Sequence, residues 1–181
     1  MGSNFTDLVL LVGTNPLPDF VVAEYFLEKN GNCKTVWLVH SEKVVEYNQQ
    51  GTKEYADALK NSLRRRHNSI DLRCVALSDV SSSKKIEKDL EERLLKKISS
   101  GSSLHLNYTG GTKAMCIHTY RALEQKYKGS ISFSYLDGRN FELLDDEQGR
   151  RITGDLRKEI RINLEELIEL HGFKKCPSQD T

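Results

Sequence analysis

At 181 residues the chain accommodates one domain with a sizeable core and is too short for two of ordinary size. Its 27 Lys and Arg oppose 26 Asp and Glu; a formal charge of +1 leaves no global field for long nucleic acid, so any anionic ligand has to be captured locally. The four cysteines, Cys33, Cys74, Cys116 and Cys176, lie far apart with no CxxC or CxxH spacing, which argues against a metal cluster and for reduced, buried thiols in a cytoplasmic protein.

Met1, Gly2 and Ser3 resemble an expression scar, which leaves open a segment removed from the natural N-terminus, a membrane anchor among the possibilities. Residues 8–12 are a continuous apolar run ending at Gly13, as for a strand buried on both faces of a parallel sheet. That run is far short of the roughly 20 residues that cross a bilayer. After Pro16 and Pro18, apolar residues from Phe20 to Leu27 recur at helical spacing until Asn30 and Gly31 stop them. Residues 35–40 read as a second strand, and residues 42–66 as a long helical region broken near Gly51. Its end carries Arg64, Arg65, Arg66 and His67, read as a solvated terminus whose cations complement the helix dipole. Residues 70–77 form a third strand, and residues 81–98 a helix with Ile86, Leu90, Leu94 and Ile98 on one face. Residues 104–108 are a fourth strand, 112–126 a packed helix, and 131–136 an alternating fifth strand. Asp137 and Gly138 signal a hairpin into residues 141–144, and a short helix over 163–170 has Asn163 as its cap, Glu166 three residues on and Gly172 as its stop.

This alternation predicts an α/β domain over residues 4–172: a Rossmann-like, doubly wound, mainly parallel sheet with a C-terminal antiparallel hairpin and a short terminal helix. Residues 173–181 read as a tail or the start of a linker to an effector. In such folds ligands bind beyond the carboxyl ends of the strands where strand order reverses, here between the loops after strands one and four.

The fourth-strand loop contains Thr109, Gly110, Gly111, Thr112 and Lys113. Paired glycines let the backbone turn tightly and approach a ligand, and the following helix offers unpaired amides to phosphate. Lys113 in the first helical turn opposes the dipole by about 0.3–1 kcal/mol, which a nearby anion offsets. An ordinary glycine turn with Lys113 in water is the competing reading. The loop has neither the full phosphate loop GxxxxGK[ST] nor the GxGxxG fingerprint. The first-strand loop, Gly13, Thr14, Asn15, Pro16, supplies a permissive glycine, a hydroxyl and a carboxamide able to read a base or ribose edge, or simply a local turn bond from Asn15. Ser41 and Lys43, after strand two, face the same crevice and add hydrogen bonds, unless Ser41 caps the next helix. His40, His67, His105, His118 and His171 form neither a metal pattern nor a recognisable catalytic set, so no metal and no cofactor is expected.

Together the first-strand string and the run Asn107, Tyr108, Thr109, Gly110, Gly111, Thr112, Lys113 resemble the CARF family, CRISPR-associated Rossmann-fold sensors, over almost the whole chain. The resemblance implies a homodimer that binds a cyclic oligoadenylate, most often the four-adenylate ring, and controls an attached effector in type III CRISPR antiviral defence. Carried over by position, Gly13, Thr14 and Asn15 match the family's first ligand loop, and Asn107 and Thr109 to Lys113 the second. It also leaves a metal-independent ring nuclease as an alternative, with Lys113 stabilising charge and Thr112 or Ser41 orienting a ribose hydroxyl. A nicotinamide-dependent enzyme of similar fold loses support, because the dinucleotide fingerprint and an acidic ribose reader after strand two are absent. Gly111→Glu is expected to abolish binding by bulk and like charge while leaving the fold.

Overall fold

The computed structural model describes residues 4–43 and 50–173. Six strands, β1 (Asp7–Leu11), β2 (Thr35–Ser41), β3 (Asp71–Leu77), β4 (Leu104–Asn107), β5 (Ile131–Asp137) and β6 (Glu142–Asp145), lie in the order β3-β2-β1-β4-β5-β6. All pairs are parallel except β5 with β6. The central strand β1 is buried along its whole length, which explains why its sequence is uninterruptedly apolar.

Alternate residues of β1 serve two cores. Leu8 and Leu10, with Val12 just beyond the strand, face α1 (Leu17–Lys29) and α2 (Lys53–Arg66), with α5 (Leu156–Glu159) and α6 (Leu164–Leu170) closing the same side through Leu156 and Leu170. Val9 and Leu11 face α3 (Ser83–Leu90), its π-helical continuation Glu91–Leu95, and α4 (Lys113–Lys126). Each fully buried aliphatic side chain contributes roughly 1.5–3 kcal/mol, so this strand anchors both layers. The connection from β1 runs to β2, whereas β3 returns across the sheet to β4 on the other side of β1. Strand order therefore reverses between β1 and β4.

The hairpin at Asp137 closes with the Phe141 amide on the Asp137 carbonyl at 2.7 Å, and the Asp137 carboxylate accepts the Arg139 amide. Asn163 caps α6 reciprocally with Glu166, as its spacing predicts. The one-turn helix α5 has no counterpart in the sequence reading; Asp155 caps it by accepting the Arg157 amide.

Two expectations are amended. Among the described residues the helix α2 begins at Lys53; Ser41 ends β2 and does not cap a helix, and residues 44–49 of the expected helical region lie outside those described. The basic run at the end of α2 is solvent-exposed as expected, but Arg65, Arg66 and His67 also form a clasp. Arg66 pairs with Glu24 of α1 at 2.9 Å and with Glu166 of α6 at 2.7 Å, His67 meets Glu24 at 2.8 Å, and Arg65 reaches Glu169 at 2.7 Å. Cys33 is buried and Cys74 and Cys116 partly so, all as free thiols; Cys176 lies outside the described residues. Among the described residues no helix is long and apolar enough to cross a membrane.

Candidate functional site

The loops after β1 and β4 touch backbone to backbone. A methyl group built on Gly13 would stand 3.0 Å from the Gly111 amide nitrogen, and one on Gly110 would stand 2.1 Å from the Leu11 carbonyl oxygen. Gly111 turns the chain at a φ of +76°, a conformation that residues with a Cβ rarely adopt. The two glycine stretches are thus one structural unit at the reversal point of the sheet, where α/β folds hold their ligands.

Around this contact the exposed groups are Thr14 and Asn15 on one loop and Thr112 and Lys113 on the other. Thr112 occupies the N-cap of α4, its hydroxyl accepting the Met115 amide at 3.2 Å, and Lys113 is the first helical residue. The Cys116 thiol, one turn on, donates to the Gly110 carbonyl at 3.3 Å and so tethers the glycine loop to its own helix. Asn15 accepts the Leu17 amide through its side-chain oxygen at 3.3 Å, the local turn bond; that oxygen also lies 3.3 Å from His171 Nε2 at the end of α6. Pro16, buried, occupies the N-cap position of α1.

Other residues expected at the ligand are withdrawn into the fold beneath the loops. Asn107 is fully buried; its amide group donates to Ser134 Oγ at 3.0 Å and its oxygen accepts the Thr109 amide at 3.2 Å. Thr109 Oγ1 accepts the Leu136 amide at 2.7 Å. The Ser134 hydroxyl is also 2.7 Å from His105 Nε2, and His105 Nδ1 is 2.7 Å from Ser132 Oγ. Burial pushes the His105 imidazole down to about 3, so it is neutral. The Ser132 hydroxyl donates to the Leu104 carbonyl at 3.5 Å, so it accepts from Nδ1–H, and Ser134, which accepts from Asn107, donates to Nε2. This directed chain ties β4 to β5 and shapes from below the loop that the family resemblance assigns to the ligand.

Ser41 is also withdrawn from the crevice: it is buried, with its amide on Thr52 Oγ1 at 3.1 Å, while that hydroxyl donates to the Val12 carbonyl at 2.9 Å. Thr52, absent from the sequence reading, is therefore what braces the first loop against β2 and α2. A second omission is Asp19, in the first turn of α1. It is completely buried, its Oδ2 stands 2.9 Å from the point a Gly110 methyl would occupy, and neither oxygen has a hydrogen-bond partner of full geometry. Burial raises its carboxyl well above the ordinary range, opposed by the nearby Gly13 amide. Tyr108, the residue between the two predicted positions, turns its hydroxyl to Asp146, which Tyr120 also meets at 2.9 Å. Burial and then that bond push Tyr120 up to about 12, so both phenols remain protonated donors. Among the described residues no group of three His, Cys, Asp or Glu side chains is placed to hold a metal ion.

A doubly wound sheet with two glycine loops joined at its reversal point defines a Rossmann-like ligand-binding domain. A family model described as the Card1 CARF domain matches residues 8–167, and the chain belongs to that family. No curated protein matches the sequence. Among solved structures, Can2 from Sulfobacillus thermosulfidooxidans in complex with cyclic tetra-adenylate is similar with a TM-score of 0.61 at 16% identity, over 95% of this chain and 43% of that one. Protein VC1899 from Vibrio cholerae gives 0.70 at 10% identity, over 91% and 38%. A type III CRISPR defence DNA nuclease activated by cyclic oligoadenylate gives 0.60 at 20% identity, over 93% and 23%. At these identities the likeness is one of fold, and the chain spans less than half the length of each of these proteins.

Proposed function

We propose that this domain is a regulatory sensor that binds a cyclic oligoadenylate, tetra-adenylate first, across a homodimer and controls an attached effector in type III CRISPR defence. The observation that carries this reading is the junction of the two glycine loops at the sheet's reversal point, with Lys113 exposed at the start of α4. The exposed start of α4 with its Lys113 ammonium suits phosphate, and Thr14 and Asn15 suit ribose or base edges. Membership of the CARF family and the ligands named for two proteins of like fold support the same ligand class. A ring of identical units with an even count shares a two-fold axis with an isologous dimer, so each protomer would engage half of it.

Ring cleavage finds less support in the side chains. Ser41 is buried against Thr52, and the Thr112 hydroxyl, although exposed, already accepts the Met115 amide as the cap of α4, so of the two hydroxyls offered for that reading only Thr112 reaches the crevice. Calorimetric titration with cyclic tetra- and hexa-adenylate tests the proposal. The expected result is one ring per two chains without linear products, weakened about tenfold or more in Lys113→Ala, as for loss of a charge-assisted bond. Absence of binding by any ring size overturns it.

A further inference from the structure

Asp19 is a fully buried carboxyl whose oxygens have no hydrogen-bond partner, surroundings unusual for a carboxylate. It lies on α1 directly under the contact between the two glycine loops, with no exposed surface. Its Oδ2 and the Leu11 carbonyl oxygen converge from 2.9 Å and 2.1 Å on one point beside the Gly110 Cα, and its Oδ1 lies 3.2 Å from that point. A fully buried carboxyl packed this closely against the Gly110 backbone is disfavoured as the carboxylate and tolerated as the neutral acid, because burial penalises the charged form. On the other side the Gly13 amide leans toward the same group. Asp19 thus packs against Gly110 of one loop and lies beside the Gly13 amide of the other, touching both. A buried polar group without a satisfied partner calls for a physical role, since leaving it so is destabilising by about 1–3 kcal/mol.

We propose that Asp19 is a positioning residue of the ligand site: lodged beneath both loops, it sets the spacing of Gly13 and Gly110 and couples anion binding above them to a proton held below. The inference rests on the proposed reading of the crevice as a phosphate site. An ionised Asp19 would place a negative charge in a dry interior just under the amides that receive phosphate, so occupancy by an anion favours the protonated form and, by linkage, protonation favours the anion. The groups facing Asp19 are backbone from β1 and the two loops and, from α4, the Cys116 thiol, whose own ionisation burial pushes up. Cys116 therefore does not titrate in the relevant range.

The test is cyclic tetra-adenylate affinity from about pH 5 to about pH 8.5, a range in which neither adenine nor phosphodiester titrates, for the wild type and for Asp19→Asn, which keeps the shape and removes the charge. Wild-type affinity is expected to fall with rising pH, by up to about tenfold per unit as for one linked proton, and Asp19→Asn to bind with a flat profile. Identical profiles in the two proteins overturn the proposal, because a purely structural Asp19 would not alter pH dependence. If the wild type binds no ring at any pH, the functional reading has failed on its own, and the positioning role is then decided in the free protein. There the Gly13 and Gly110 amide resonances are expected to move with pH in the wild type and to stay still in Asp19→Asn; amides that do not respond overturn it.

Discussion

Gly110 has no room for a side chain, and the reason is backbone rather than conformation. A methyl there would overlap the Leu11 carbonyl, which belongs to the fully buried central strand and cannot retreat. Gly110→Ala is therefore expected to lower stability by about 2 kcal/mol, as for overpacking of a rigid site, and to part the two loops. Urea unfolding measures this, and an unshifted midpoint would mean that the loop yields freely. The same geometry revises the expectation for Gly111→Glu. With φ at +76° and a Cβ that would stand 3.1 Å from Leu11 Cβ, this substitution strains the fold as well as the site, so lost binding in it cannot be assigned to charge alone. Lys113→Ala, exposed at the helix start, is the cleaner probe. Asp19 adds a pH-dependent term. Its folded-state pKa is raised, so the unfolded chain releases this proton first: stability is full below about pH 4 and declines as pH rises toward the folded value. Asp19→Asn removes that decline, and its melting temperature relative to wild type is expected to rise between about pH 4 and about pH 7, by about 2–4 °C per kcal/mol. A constant difference over the range would show that Asp19 ionises as it does in the unfolded chain.

Helix α6 is a short element whose attachment depends on α2. Leu170 is buried against the first core, but Leu164 is 70% exposed, so apolar contact secures mainly one end. The other end is held by Arg66, which joins Glu166 to Glu24, a carboxylate with a side chain only 2% exposed. Removing the guanidinium leaves that buried charge with His67 alone. Arg66→Ala is expected to destabilise the domain by about 2 kcal/mol and to speed amide exchange over 164–170. Arg65→Ala, which breaks a pair half open to solvent, should change stability by less than about 1 kcal/mol. Equal effects of the two substitutions would mean that the clasp acts only as surface charge. The Arg66 bond holds the Glu166 carboxyl below its ordinary range, so this contribution is present above the unfolded value of about 4.3 and is lost as pH falls through the folded one. The gap between wild type and Arg66→Ala should accordingly narrow in acid.

At the scale of the molecule, the features legible in the sequence were those fixed by local rules. A strand buried on both faces has to be apolar throughout, an N-cap reads from Asn163 and Glu166, and glycines mark a strand-to-helix turn; these placed the sheet and both loops. What escaped depends on partners far along the chain. Asn107 looks like a ligand group until Ser134, 27 residues on, claims its amide. The arginines of α2 look like dipole complements until Glu166, 100 residues on, meets Arg66. Asp19 resembles any acidic residue in a first helical turn, and only the fold brings Gly110 onto it. A further long-range contact links site to periphery: Asn15 of the first loop meets His171, whose Nδ1 lies 2.9 Å from the Leu167 carbonyl of α6. A ligand that engages the Asn15 carboxamide competes with His171 for it, so occupancy of the crevice is expected to loosen the end of α6. One exposed hydrogen bond contributes about 0.5–1.5 kcal/mol, which corresponds to roughly two- to tenfold faster amide exchange at residues 170–173 when the ring is bound. Asn15→Ala should produce the same acceleration without ligand. Exchange at those residues that ignores both ligand and substitution would make the contact a passive one and leave the first loop without a route to the last helix.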